Sequence, residues 1–183
     1  MGIEQKQPPI ETVLEQKVYQ AEKGHSAVTL AVRLVVTMLV VALLLGVVSG
    51  LSVIRGSSME PSLKSRDVVL LYRLGKPRRG DIVVLHRGSD KDHLVKRVIA
   101  IGGDEVSIDE NGEVLVNGEP EPDAGKWGET HAIEHGVNFP YRVPDGSVFL
   151  LGDNREASRD SREWGAILQK EIAGRVIWVI GQR

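Results

Sequence analysis

The chain has 183 residues, with 23 Lys and Arg against 25 Asp and Glu and a formal net charge of -2 at pH 7. That length holds one compact domain plus a further segment, and that charge excludes a bulk electrostatic grip on nucleic acid. Cysteine is absent, which removes thiol catalysis, disulfides and cysteine-based zinc sites together.

In chain order, residues 1–33 are polar. Pro8-Pro9 is followed by a helix-like stretch from Glu11 to about Glu22 with Glu and Lys intermixed, a solvated lead-in without chemistry of its own. No residue between Arg33 and Arg55 is charged. As a helix, residues 34–54 span about 31 Å, matching a hydrocarbon core of roughly 30 Å, so they are read as a transmembrane anchor. Positive charges flank this stretch on both sides (Lys17, Lys23 and Arg33 before it; Arg55, Lys64, Arg66 and Arg73 after it). The positive-inside rule therefore gives no orientation.

Residues 55–183 read as a mostly β domain. Short β-branched runs bounded by turn residues occur at 67–72, 81–85, 95–100, 148–151 and 176–180. Asn111-Gly112 and Asn117-Gly118 flank Glu113-Val114-Leu115-Val116, and Asn-Gly is the preferred chemistry of a type I′ hairpin turn. Residues 120–140, rich in Pro, Gly, Glu and His, read as an exposed loop.

Three clusters place polar or special residues where plain strands would serve. Arg55-Gly56-Ser57-Ser58-Met59-Glu60-Pro61-Ser62-Leu63 can present a serine hydroxyl among backbone N–H groups, although Ser-rich turns also serve as linkers after membrane spans. Leu94-Val95-Lys96-Arg97-Val98-Ile99 is an apolar strand carrying two cations that point to opposite faces, so one faces an interior or a cleft; a lysine snorkelling from an edge strand is the plain alternative. Gly152-Asp153-Asn154-Arg155-Glu156-Ala157-Ser158-Arg159-Asp160-Ser161-Arg162-Glu163-Trp164-Gly165 reads as a polar network between two strands, with a salt-bridged turn as its alternative.

Taken together these clusters resemble the type I signal peptidases, the Ser-Lys dyad serine proteases, in their compact single-span form. Ser58-Met59-Glu60-Pro61-Ser62-Leu63 matches the Ser-Met-x-Pro-Thr-Leu signature that follows a membrane span in that family. Arg79-Gly80-Asp81-Ile82-Val83-Val84 matches the next box, and Lys96-Arg97-Val98-Ile99 with Gly103-Asp104 matches the lysine box. Gly152–Gly165 matches the last box at each of its fixed positions. Ser62 stands where Thr is usual and Gly102 where Pro is common.

The resemblance implies a domain of coiled antiparallel β-sheets on one N-terminal transmembrane helix. It implies a membrane-bound serine endopeptidase that removes signal peptides from exported preproteins, cutting after small residues at the first and third positions before the cut. Ser58 would be the nucleophile and Lys96 the general base. Ser158 would hydrogen-bond the Lys96 amine, and the backbone N–H groups of Ser58 and Gly56 would form the oxyanion hole. Asp153, Asn154, Asp160 and Arg162 would support the site. The expected partners are preproteins and the lipid bilayer, with no nucleic acid, cofactor or metal. Because Ser58 follows Ile54 by four residues, the resemblance places residues 1–33 in the cytoplasm and 55–183 outside the plasma membrane.

The chemistry sets a condition on Lys96. At an unperturbed pKa near 10.4 only about one lysine in 2,500 is neutral at pH 7, so a lysine base needs a pKa lowered by burial. None of the five histidines (His25, His86, His93, His131, His135) lies in a matching box. His131 and His135 share i, i+4 spacing without the Glu of a zinc-protease helix. Arg79-Gly80-Asp81 spells an adhesion tripeptide but fits a turn before a strand. Trp127, Trp164 and Trp178 read as packing or interfacial residues. Three rival readings remain: a self-cleaving Ser-Lys repressor, which would carry a DNA-binding module where this chain has an apolar span; a catalytically silent membrane-anchored relative; and a relative dedicated to conjugation or pilus assembly with one or few substrates.

Overall fold

A computed structural model describes residues 10–86, 94–123 and 125–181; Pro8-Pro9 and His93 lie outside them, as do the side chains of Lys23 and His25. The chain divides into two compact units, one ending at Gly46 and one starting at Val47.

The first unit is a single helix, α1 (Ile10–Val48). Its Val28–Val48 stretch has 21 residues, a mean hydropathy of 2.7 and no burial against protein, and is long and apolar enough to cross a membrane. The helix expected over 34–54 is thus displaced. Residues 49–53 form a strand, β1 (Ser49–Val53), that pairs with β2 (Val68–Tyr72) from Ser49↔Tyr72 to Val53↔Val68. Ser49 and Gly50 are poor helix formers, and from there side chains alternate, with Leu51 and Val53 exposed and Ser52 and Ile54 buried. Charge counting registers the apolar run but not this change of period. Ser58 accordingly follows the helix by ten residues, not four.

Along the second unit come β3 (Ile82–Leu85), β4 (Leu94–Ile101), β5 (Glu105–Ile108), β6 (Val114–Val116), β7 (Glu119–Pro120), β8 (Tyr141–Arg142), β9 (Ser147–Leu151), a one-turn helix α2 (Ser161–Trp164), β10 (Ile167–Leu168) and β11 (Ile172–Ile180). They build two antiparallel sheets, one ordered β1-β2-β11-β3-β4-β9-β10 and one ordered β7-β6-β5-β8. Register shifts in β4 between Val98 and Ala100, and in β11 near Ala173 and Ile177, bend the larger sheet. The mostly β domain read from the sequence is therefore observed.

Asn117 and Gly118 both take positive φ, 56° and 83°, which is the type I′ turn expected between β6 and β7. Asn111-Gly112 differs. Asp109 accepts from the backbone N–H of Asn111 and Glu113, and this Asx turn closes a longer β5–β6 connection.

Three apolar clusters form the core. One joins Ile54, Met59 and Leu63 to Val69, Leu71, Val84 and Val95. Two of the fixed positions in the serine motif are therefore core anchors, since Met59 and Leu63 are each 1% exposed. Burying two such side chains is worth about 2 kcal/mol each and fixes the turn that carries Ser58. Gly102 packs on residues 144–146, where a Cβ would come within 2.9 Å of the Asp145 Cα. The departure from proline at this position thus suits the local backbone.

Candidate active site

The serine turn is held from both ends. Ser57 O accepts from the Glu60 N–H at 3.1 Å and Met59 O from the Leu63 N–H at 2.9 Å. Ser58 itself is half-buried. Gly56 takes φ +84°, a left-handed conformation that favours glycine.

Lys96 lies on β4 opposite Val83 of β3, and it is 2% exposed. Its Nζ donates to Ser58 Oγ at 2.7 Å, bringing together two residues 38 positions apart. Burial pushes the Lys96 pKa down from 10.5 to about 8; Asp160 and Asp153 oppose the shift and Arg162 reinforces it. At that value roughly one Lys96 in eleven is neutral at pH 7.

Arg97 points the other way from Lys96, as strand alternation requires, and serves the scaffold. Its Nε and Nη2 donate to Asp153 at 2.7 and 2.6 Å, its Nη1 donates to Gly80 O at 2.9 Å, and Ser62 Oγ accepts at 3.4 Å. The Arg79-Gly80-Asp81 tripeptide is occupied in the same way. Arg79 pairs with Asp104, and Asp81 accepts from Arg175 at 3.2 Å.

The segment after β9 closes over the serine turn. The Asn154 N–H donates to Ser58 O at 3.1 Å and its side-chain amide to Ser57 O at 3.3 Å. Asp160 caps α2 and accepts from the Gly152 N–H at 3.1 Å. Arg162 bonds both Asp160 oxygens and the carbonyls of Arg155 and Ser158. Asp153 thus holds Arg97, Asn154 holds the serine turn, and Asp160 and Arg162 hold each other and the backbone around them. Ser158 is buried beside them, but its Oγ has no hydrogen-bond partner among the described residues. Lys96 bonds Ser58 and not Ser158, in contrast to the expected Ser158–Lys96 contact.

The excursion between β7 and β8, expected as an exposed loop, is exposed over most of its length but is pinned to the segment after β9 at a few buried residues. Arg155 and Glu121 form a buried ion pair at 2.6 Å, and Arg155 Nη1 also reaches Thr130 Oγ1 at 2.7 Å. Trp127 is 6% exposed and lies under the Arg97 guanidinium, 4.7 Å from Cζ to the ring centroid. His131 O accepts from Arg162. Sequence reasoning missed these partners because the local Gly, Pro and Glu content looks like solvent-facing loop; Arg155, an arginine in an otherwise absorbed box, was the available signal. Glu121→Ala leaves a buried guanidinium without its carboxylate, so we expect a loss of about 3–5 kcal/mol in urea unfolding. A loss below about 1 kcal/mol would contradict this role.

Ser58 and Lys96 open on a cleft of about 560 Å³ whose other walls are Leu94, Ala157, Arg159, Glu163 and Trp164. A serine hydroxyl against a nearly dry, pKa-depressed amine, beside an open cleft, is an arrangement suited to nucleophilic attack on a carbonyl.

The chain is similar to known proteins over much of its length. Residues 27–180 match the family described as "Signal peptidase, peptidase S26". A "Probable signal peptidase I-2" of Synechocystis sp. is 39% identical over 132 residues, which is 67% of this chain; the chain spans only 58% of that relative's length. "Signal peptidase I S" of Bacillus subtilis is 34% identical over 170 residues, covering 86% of this chain and 91% of that protein. A crystal structure of a signal peptidase I from Enterococcus faecalis aligns at 25% identity with a TM-score of 0.43, over 55% of this chain and 97% of that one.

Proposed function

The chain belongs to the signal peptidase family, peptidase S26, and on that premise we propose that it is a membrane-bound serine endopeptidase that removes signal peptides from exported preproteins, with Ser58 and Lys96 as its dyad. The observation that carries this reading is the 2.7 Å contact between Lys96 Nζ and Ser58 Oγ, made by a lysine that burial has brought to a pKa of about 8.

When Lys96 is neutral the contact reverses, and the Ser58 hydroxyl donates to the amine. Lys96 takes that proton as Ser58 Oγ attacks the scissile carbonyl, and then delivers it to the leaving amine. The N–H groups of Ser58 and Gly56 receive the oxyanion. With glycine at 56, backbone donors alone must serve there. In this reading Ser158, buried close to Gly152 with an unsatisfied hydroxyl, orients the Lys96 amine during the reaction. Asp153, Asn154, Asp160 and Arg162 hold the two halves of the site in register.

In this reading Val28–Val48 is the membrane span, the preceding residues lie in the cytoplasm, and the residues from Ser49 onward work outside the plasma membrane on preproteins. Ten residues, five of them in β1, then carry the chain from the end of the helix to the nucleophile, which keeps the cut within reach of an emerging signal peptide.

The test is cleavage of a purified preprotein by the detergent-solubilised full chain, beside Ser58→Ala and Lys96→Arg, with products weighed by mass spectrometry. We expect wild-type cutting after a small-x-small sequence and losses of about a thousand-fold or more in both variants, since guanidinium does not act as a base near neutrality. Turnover by Lys96→Arg at the wild-type rate would overturn the assignment of the base.

A further inference from the structure

The cleft shared by Ser58 and Lys96 has a charged rim. Arg159 Nε and Nη2 donate to the Glu163 carboxylate at 3.0 and 2.6 Å, and the Arg159 side chain is 78% exposed against 33% for Glu163. The rest of the wall is largely apolar, with Leu94, two residues before Lys96 on the same strand face, and Trp164 of α2.

The side of the scissile bond that this cleft receives follows from the proposed dyad, on which this inference rests. The leaving nitrogen must come within hydrogen-bond distance of Lys96 Nζ to be protonated. In the tetrahedral intermediate that nitrogen and Ser58 Oγ share one carbon, so the nitrogen lies on the Lys96 side of Oγ. The chain leading away from it therefore passes over the wall next to Lys96, toward Leu94 and Trp164. Within two or three extended residues, at roughly 3.3 Å each, it meets Arg159.

We propose that Arg159 is a specificity-determining residue for the mature side of the substrate, favouring a carboxylate side chain within the first three residues after the cut. Guanidinium carries five donors in a fork that matches carboxylates, and the two bonds to Glu163 use only part of it. A substrate carboxylate meets this exposed cation in direct contact, whereas Lys96, 2% exposed, feels it only through space. Lysine at the same position meets repulsion. An exposed pair of this kind changes a ratio by about three- to five-fold.

The test uses the full chain in detergent and a preprotein panel differing only in the second residue after the cut (Asp, Ala or Lys), with a second panel varied three residues before the cut. For the wild type we expect kcat/KM for Asp to exceed that for Lys by about three- to five-fold. Arg159→Gln brings the ratio near one and Arg159→Glu inverts it, while discrimination on the signal-peptide side is the same in all three proteins. Each ratio is internal to one protein, so a change in folded fraction cancels, and Arg159→Gln carries the test if the charge reversal is inactive. Equal ratios in wild type and Arg159→Gln, or a change confined to the signal-peptide side, overturn the proposal. Failure of the wild type to cut the Ala preprotein overturns the proposed function itself, and this inference with it.

Discussion

Lys96→Met is expected to abolish cleavage and to make the protein more stable at pH 7. The first effect follows from loss of the proposed base. The second follows from the pKa, lowered from 10.5 to about 8 chiefly by desolvation. The unfolded chain then binds the Lys96 proton more tightly than the folded one. Above pH 10.5 both states carry a neutral amine and there is no penalty. As pH falls through 10.5 the unfolded state gains a proton first, and the penalty is complete once pH is below the folded value near 8. A shift of this size corresponds to about 3 kcal/mol at pH 7, less the lost hydrogen bond to Ser58. Urea unfolding of the two proteins at pH 7 and pH 10 checks it: the stability gap narrows at the higher pH. A methionine variant no more stable than wild type at pH 7 would contradict the burial account. For the wild type, the same pKa makes kcat/KM rise about ten-fold per pH unit below 7 and level off above 8.

Gly152→Ala is expected to cost at least about a hundred-fold in kcat/KM. A Cβ at this position would fall 2.5 Å from both the Ser58 carbonyl oxygen and the Ser158 Cβ, closer than atoms of those kinds approach. Neither neighbour is the flexible end of a long side chain, so the strain is relieved only by moving the backbone that carries the nucleophile. Displacements of this order cost about a hundred-fold in rate through misalignment alone. Overpacking also costs about 1–3 kcal/mol of stability. Kinetics at a temperature where the variant is fully folded separate the two effects; near wild-type turnover there would show that the segment after β9 does not position Ser58.

Local signals carried much of this into the sequence. β-branched runs between turn residues marked β2, β3, β4, β9 and β11 of the larger sheet, and the Asn-Gly pairs marked β6 alone in the smaller one with the turn at Asn117-Gly118, because each rests on preferences within a few residues. Lys96 and Arg97 in an apolar strand already pointed to one cation facing an interior or a cleft, and the resemblance made a buried Lys96 amine the condition for activity. Three features depended on partners far along the chain. The end of the helix at Val48 is set by the pairing of β1 with β2, and β11 begins four residues earlier than its β-branched run suggests because Gly174 fits beside Leu71 and Tyr72. Glu121 is indistinguishable from a loop glutamate until Arg155, 34 residues later, is folded against it. The unmet hydroxyl of Ser158 is likewise a matter of geometry that no motif conveys.

The place of β11 sets how the two parts of the site are joined. In the larger sheet this strand lies between β2 and β3, so the ladder that includes β2, downstream of the Ser58 turn, and the ladder that includes the Lys96 strand meet, among the described strands, only through residues 172–180. Unpairing those residues leaves the sheet in two parts. A lesion in one strand that touches neither Ser58 nor Lys96 is therefore enough to part them.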